Sequence, residues 1–200
     1  MTDRNIQVYT RANGGAAIDT VIEAAEAAGV TAADDRRNVV IHSNFMRPDQ
    51  LDDYVRLGLI PSFFTVHSFF WGDVHRENLG EERAFFLSPM KPAQERGIRF
   101  TNHNDFMVTP VDPMFMIWTA VQRISRNGVA IGPDQRVDVW TALKALTIDV
   151  GDYCPNETCP DYGKRQAKRQ HNIIKFGKTK AGRQGAKSRL SGATNLACAA

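Results

Sequence analysis

A short apolar segment gives way abruptly to polar residues at Ile98-Arg99-Phe100-Thr101-Asn102-His103-Asn104-Asp105. Its isoleucine, phenylalanine and β-branched threonine suit a half-buried strand. Gly97 before it and Pro110 after it punctuate the segment. His103 and Asp105 therefore stand where a strand passes into a loop, the place where catalytic groups collect in parallel α/β proteins. The alternative is a loop that carries two solvated polar side chains.

Apolar runs of strand type alternate with helical periodicity along the first 150 residues. Strands are predicted over 6–9, 39–41, 60–66 and 98–101, and helices over 16–28, 48–57, 81–86, 92–96, 113–126 and 136–146. A tight, glycine-containing loop is predicted over 11–15. This alternation predicts an α/β fold, a parallel sheet covered by helices. Four such units are half of the eight that close a (β/α)8 barrel, and an open four-stranded sheet is the alternative. Because no Gly-x-Gly-x-x-Gly follows the first strand, a dinucleotide site is not indicated.

The composition is typical of a globular protein, with 42% hydrophobic and 24% charged residues in 200. No apolar run reaches the length of a transmembrane helix, and no apolar core follows the first residues as in a signal peptide. All three cysteines, Cys154, Cys159 and Cys198, lie in the last quarter, so disulfides do not form the basis of the fold. A reducing, cytoplasmic location without membrane association is therefore expected.

The charge divides the chain into two parts. Residues 151–200 carry 10 Lys and Arg against 3 Asp and Glu, a net charge of +7, which leaves −4 for residues 1–150 of the total of +3. Such asymmetry indicates a basic tail or two pieces of different origin. Two regions are therefore predicted, 1–150 and 151–200.

Polar side chains are expected at one rim of the predicted sheet. The strand ends carry Arg11, His42, His67, and His103 with Asp105. Neutral imidazoles suit zinc and similar divalent ions, a carboxylate completes such a site, and a bound metal activates water. Each histidine alone could equally be a satisfied structural residue, and it is their joint occurrence on one rim that favours a functional cleft.

An aromatic run, Phe69-Phe70-Trp71, follows His67 in what the sequence suggests is a loop. Core packing and an aromatic wall for a substrate pocket are both consistent with it. His75, after the Gly72-Asp73 turn, is placed to share a site with His67.

Several short motifs together resemble the metal-dependent amidohydrolase superfamily, and most of all its third large branch, amidohydrolase family 3, which contains N-substituted formamide deformylase-like and exoenzyme-regulator-like proteins. In chain order they are Ile41-His42-Ser43, Asp49-Gln50-Leu51, Leu57-Gly58-Leu59-Ile60-Pro61-Ser62-Phe63-Phe64, His67-Ser68-Phe69-Phe70-Trp71-Gly72-Asp73, Leu79-Gly80-Glu81-Glu82-Arg83, Ser88-Pro89, Phe100-Thr101-Asn102-His103-Asn104-Asp105 and Trp140-Thr141-Ala142-Leu143-Lys144-Ala145-Leu146-Thr147-Ile148-Asp149. The resemblance covers about residues 6–150.

The resemblance implies the last four strands of a metal-bound (β/α)8 barrel that hydrolyses C–N bonds other than peptide bonds. It implies that His42 is a metal ligand and that Asp105 both binds metal and shuttles the proton of the attacking water. His67 and His103 match polar positions that touch substrate, and Trp71 is the aromatic residue expected beside them. The implied cofactor is a divalent metal, zinc by expectation, and the implied substrate is a small amide.

The chain departs from the family pattern at Arg11, which stands where the fifth-strand metal-binding histidine is expected. A guanidinium offers no lone pair to a metal. The family's first-strand His-x-His pair and fourth-strand bridging residue have no counterpart, nor does the C-terminal Gly-Lys-x-Ala-Asp segment. A truncated, weakly active or inactive fragment is therefore expected, and the open sheet edges predict self-association.

The basic region resembles the start of the zinc ribbon of insertion-sequence transposases, through Cys154-Pro155-Asn156-Glu157-Thr158-Cys159 and the Lys- and Gly-containing run over 172–184. Tetrahedral zinc needs four ligands, and beyond Cys154 and Cys159 only the poorly spaced His171 and Cys198 remain. A complete zinc site is therefore not expected, and a disordered or poorly folded basic tail is the favoured prediction. Either form predicts weak, non-specific binding of nucleic acid, so a nucleic-acid-binding remnant in a chimeric chain is the alternative function.

Overall fold

The computed structural model describes residues 7–151, which contain a parallel four-stranded sheet in the order β1-β2-β3-β4. The strands are β1 (Tyr9–Gly14), β2 (Val39–Phe45), β3 (Ile60–Phe63) and β4 (Thr101–Asn102). Each strand pairs with the next one in the chain, so every connection returns to the same end of the sheet. The predicted α/β fold with a parallel sheet is confirmed.

Nine helices occur in the described residues. They are α1 (Gly15–Ala27), α2 (Pro48–Leu57), α3 (His67–Phe70), α4 (Gly72–Leu79), α5 (Glu81–Phe85), α6 (Met90–Glu95), α7 (Pro113–Gln122), α8 (Val139–Leu146) and α9 (Ile148–Gly151), with 3-10 turns at Ala32–Asp34 and Pro133–Gln135. Between residues 7 and 151, no helix has the length and apolar character needed to span a membrane.

The main core lies between the sheet and the helices. Strand residues Ala12, Val40 and Phe63 share one buried apolar cluster with side chains from five helices. The helix residues are Ile18, Ile22, Leu51, Tyr54, Leu57, Met90, Ala93, Ile117, Ala120, Ala142 and Ala145. A separate small cluster is made by Val39 and Ile60, with Ile41 packed against it.

The first strand lies later than the sequence suggested. The prediction placed a strand over 6–9 and a loop over Arg11–Gly15, but Tyr9 to Ala12 pair with residues 39–42, and Gly14 pairs with Phe45. Arg11 and Asn13 are exposed whereas Ala12 is buried in the main core. The polar residues that suggested a loop thus form the outward-facing half of a strand.

Two other helix boundaries differ from the prediction because side-chain hydrogen bonds set them. The predicted helix over 113–126 stops at Gln122, since Arg123 adopts φ 55 and its buried guanidinium donates to the carbonyls of Leu87 and Ile131. The predicted helix over 136–146 begins only at Val139, because the side chain of Asp138 accepts the Thr141 N–H.

The segment after β3 is helical where an aromatic loop was expected, in α3 and α4. The last strand is also shorter than predicted. Only Thr101 and Asn102 pair with β3, although Ile98 and Phe100 are buried as expected of a strand. The basic region predicted over 151–200 lies outside the described residues apart from Gly151, so its fold stays a prediction.

Candidate active site

The structure brings together at one rim the polar residues that the strand ends carry. Arg11 lies in β1, His42 lies in β2, His67 begins α3 just after β3, and His103 and Asp105 follow β4. The ring centroids of His42 and His103 are 5.0 Å apart, and Asp105 contacts both His42 and Arg11. Parallel pairing of neighbouring strands places their carboxyl ends at one edge and so produces this cluster.

One carboxylate oxygen is the meeting point of this cluster. Asp105 Oδ2 lies 4.0 Å from His42 Nε2 and 3.6 Å from Arg11 Nη2. His42 is buried, and neither of its ring nitrogens has a hydrogen-bond partner within residues 7–151. Burial, and after it the charge of Arg11, lowers the pKa of His42, so the ring is neutral at pH 7 and offers a lone pair.

Unusual backbone conformations aim these side chains. His42 has φ 77, Ser43 has φ 47 and Asp105 has φ 49, values that L-residues seldom adopt. The Ser43 hydroxyl donates to the Val40 carbonyl (3.1 Å) and lies 3.0 Å from the hydroxyl of buried Tyr54. Left-handed residues of this kind cluster at functional sites, where surrounding contacts hold them.

A chain of amide and hydroxyl side chains joins the ends of β1 and β2 to the segment before α6. Asn44 Nδ2 donates to Asn13 Oδ1 (2.9 Å), and Ser88 Oγ donates to Asn44 Oδ1 (2.7 Å). The backbone N–H of Ser88 donates to the Asn44 carbonyl at 2.8 Å. The sequence interpretation missed this support, because hydrogen bonds between residues 31 and 44 positions apart leave no local pattern.

His103 has one ring nitrogen engaged and one free. Its Nδ1 accepts the backbone N–H of Asp105 at 3.2 Å, so a neutral ring carries its proton on Nε2. That buried Nε2 has no partner among the described residues. Burial, followed by the influence of His42, lowers the pKa of His103 to about 4. His103 is therefore a neutral N–H donor at the rim.

His67 and His75 form a pair, as the sequence suggested. Nδ1 of His67 lies 3.2 Å from Nε2 of His75, and the two rings are within 6° of parallel. Burial, and after it the neighbouring His75, lowers the pKa of His67 to about 3, and burial lowers the pKa of His75. One neutral ring must donate to the other, so the tautomers of the two rings are coupled.

In the run Phe69-Phe70-Trp71, two residues pack in the core and one lies beside the histidines. Phe69 and Phe70 pack on Phe115, with ring centroids 4.9 and 6.1 Å apart, which is core packing. Trp71 instead lies 4.5 Å from the ring of His67. Trp71 is thus the one member of the run that faces the histidines.

Phe64 was missed by the sequence interpretation. Its ring stacks on His103 at 5.0 Å, meets His67 edge-on at 4.6 Å and lies 6.0 Å from His42. It sits within a predicted strand and looked like an ordinary core residue. Its position one residue after β3 was the available clue, since residues just beyond strand ends face the rim.

The side-chain atoms available at the rim are of the types that bind divalent metals. A buried imidazole nitrogen without a partner faces a carboxylate oxygen, the ligand types that zinc and similar ions take. Within residues 7–151, however, no three His, Cys, Asp or Glu side chains are grouped to hold a metal ion. His42 and Asp105 would therefore supply two ligands, and Arg11 supplies none. The suggested tail ligands Cys154 and Cys159 lie outside the described residues.

Comparisons with known proteins place the chain in a family. The model of the amidohydrolase family matches residues 1–150. An N-substituted formamide deformylase from Arthrobacter pascens is 28% identical over 137 residues, which cover 68% of this chain and 25% of that protein.

Solved structures give the same picture. An uncharacterized metal-dependent hydrolase from Pyrococcus furiosus matches this chain with a TM-score of 0.61 and 25% sequence identity. An uncharacterized metal-dependent hydrolase from Pyrococcus horikoshii OT3 matches with a TM-score of 0.63 and 23% identity, and this second match supports the fold alone. Each match covers 74% of this chain and 29% of the other, so the chain spans between a quarter and a third of the length of these relatives. Because the family's model matches three quarters of this chain, the chain belongs to the amidohydrolase family.

Proposed function

We propose that residues 7–151 form four βα units of a (β/α)8 barrel and carry part of the active site of a metal-dependent amidohydrolase that cleaves a C–N bond in a small amide. The observation that carries this proposal is the meeting of His42 Nε2 and Asp105 Oδ2 at 4.0 Å. The sequential parallel strand order is the order that such a barrel uses. Family membership and the hydrolase neighbours support the reaction class.

In this proposal His42 and Asp105 hold a divalent metal, for which zinc is the expected ion. When bound, such an ion supplies positive charge that acidifies water and polarises a carbonyl group. Asp105 acts as the general base: its carboxylate accepts a proton from the attacking water and returns that proton to the leaving nitrogen. The water oxygen bonds to the carbonyl carbon, the C–N bond breaks, and an acid and an amine are released.

The other rim residues act on the substrate. His103 is placed to donate its Nε2–H to the carbonyl oxygen, because that donor is buried and has no partner among the described residues. Trp71, Phe64 and His67 form an aromatic wall beside it. An apolar wall with a few polar groups is typical of a small-molecule site. Because the related deformylase is named for N-substituted formamides, that class is the first substrate to test.

The test is release of formate from an N-substituted formamide by the full chain supplied with zinc. We expect slow, zinc-dependent turnover, since His42 and Asp105 are two ligands where a catalytic zinc usually has three from protein. Asp105→Asn should lower the rate by about 10²-fold or more, because the general base is lost. The control is Asp134→Asn, a change to an exposed aspartate in the Pro133–Gln135 turn. A rate that survives a chelator or the Asp105→Asn change contradicts the proposal, and no turnover above buffer contradicts the slow activity expected of this chain.

A further inference from the structure

Arg11 places a permanent positive charge at the oxygen that is proposed to bind metal. Its Nη2 lies 3.6 Å from Asp105 Oδ2, the same atom that faces His42 Nε2. The contact is an ion pair longer than a hydrogen bond, and the Arg11 side chain is 71% exposed. The guanidinium therefore lies largely in solvent while its charge remains next to the carboxylate.

The charge of Arg11 acts against a second cation at this position. A guanidinium carries a positive charge and has no lone pair to share with a metal. A divalent ion between His42 and Asp105 would lie a few ångströms from it and would compete for the same oxygen. Repulsion between a single and a double positive charge at such distances is worth about tenfold in affinity or more, even with the screening expected near a surface.

We propose that Arg11 is a resident cation of this site: it pairs with Asp105 when no metal is bound and weakens the binding of a divalent metal at His42 and Asp105. This inference rests on the proposed function, since it assumes that these two side chains hold the metal. It makes Arg11 the residue that sets metal affinity.

The test is calorimetric titration of the full chain with zinc chloride at pH 7. Every variant carries Cys154→Ser, Cys159→Ser and Cys198→Ser, so that thiolates of the tail do not contribute. Arg11→Met keeps the length of the side chain and removes the charge, and we expect it to bind zinc about tenfold more tightly than the arginine form. Arg11→His adds a third possible ligand and should bind more tightly still. Arg11→Lys, which keeps the charge, should stay within about twofold of the arginine form.

Equal zinc affinity for arginine and methionine at position 11 would overturn the inference. Adding His42→Ala to each variant separates this failure from failure of the proposed function. If His42→Ala abolishes binding while all residues at position 11 bind alike, only the role of Arg11 is wrong. If zinc binding survives His42→Ala in every variant, the metal site itself is wrong. Circular dichroism of each variant verifies that the fold is intact.

Discussion

At the residue scale, Ser43 shows how the site's backbone is held. It follows His42, shares its left-handed conformation, and lies with its hydroxyl 3.0 Å from that of Tyr54 in the core. The Ser43 hydroxyl has a second partner, the Val40 carbonyl, whereas the Tyr54 hydroxyl relies on Ser43. Removing the Ser43 hydroxyl therefore leaves the Tyr54 hydroxyl without this partner, whereas removing the Tyr54 hydroxyl leaves Ser43 with its bond to Val40.

Ser43→Ala should destabilise the fold by about 1–3 kcal/mol, because it leaves a buried tyrosine hydroxyl without this partner. Tyr54→Phe should cost less, about 1 kcal/mol, because Ser43 keeps its bond to the Val40 carbonyl. Urea unfolding of the two variants and of the double variant measures the difference. Costs that simply add in the double variant would show that the hydroxyls are not paired.

The buried histidines predict a pH dependence of stability. Burial lowers the pKa of His67 to about 3 and that of His103 to about 4, against an ordinary value near 6.5. Between these values the unfolded chain binds protons that the folded chain does not, so acid favours unfolding. The contribution is fully present above about pH 6.5 and is lost as the pH falls toward about 3 or 4.

From about pH 6.5 to pH 5, each of these histidines should therefore lower the free energy of unfolding by up to about 1.4 kcal/mol per pH unit. His67→Gln and His103→Gln should each flatten the pH profile in this range, whatever they do to stability at pH 7.5. Unfolding in urea at pH 7.5, 6.5, 5.8 and 5.0 measures the profiles. A profile as steep as that of the unchanged chain in both variants would refute the assignment.

At the element scale, the connection between α7 and α8 is fixed by a glycine. Gly132 has φ 61, and a Cβ there would overlap the backbone of Phe85 at the end of α5. Gly128, in the same connection, also has a positive φ (83), but a Cβ there would meet nothing within 4 Å. Comparing substitutions at Gly128 and Gly132 therefore separates the cost of backbone strain from the cost of a steric clash.

Gly128→Ala should cost about 1–2 kcal/mol, the strain of a left-handed L-residue. Gly132→Ala adds overpacking against backbone and should cost about 3 kcal/mol or more. Thermal unfolding of the two variants compares them directly. Similar melting temperatures would mean that the close approach to Phe85 does not exist.

Local patterns in the sequence predict the elements whose causes are local. The helical spacing of Ile18 and Ile22 and the apolar run Val39–Ile41 were sufficient for α1 and for the start of β2. Boundaries failed where a distant contact decides them. Arg123 ends α7 by donating to carbonyls in other segments, and the length of β4 depends on its pairing with Ser62 and Phe63 of β3.

The same distinction holds for the site. The sequence indicates where strands end, and this was sufficient to predict that His42, His67 and His103 share a rim. That Asp105 lies between His42 and Arg11 depends on a positive φ and on side-chain distances, which no periodicity contains. The roles of these residues stay predictions until the variants are measured.

At the scale of the whole molecule, an apolar segment between β4 and α7 is exposed. Phe106 is 70% exposed, Met107 83% and Val108 58%, and Val111 and Met114 add to the same segment. Apolar side chains grouped in this way favour association. We expect the chain to associate through them in a concentration-dependent manner.

Sedimentation velocity over a hundredfold range of concentration tests this expectation. Phe106→Glu with Met107→Glu should shift the chain toward the monomer, because charges in the contact oppose burial. Val55→Glu, a change to a 45% exposed residue on α2, is the control and should leave association unchanged. Association that ignores the double change, or a monomer throughout, would contradict this expectation.

The central claim is that His42 and Asp105 hold a metal ion. The most direct measurement is zinc content by elemental analysis after equilibrium dialysis of the full chain against excess zinc. The account predicts about one equivalent that is lost in His42→Ala/Asp105→Ala and kept in Cys154→Ser/Cys159→Ser, because the ligands are an imidazole and a carboxylate. Zinc that persists in the first variant and disappears in the second would place the metal in residues 151–200 and contradict the account.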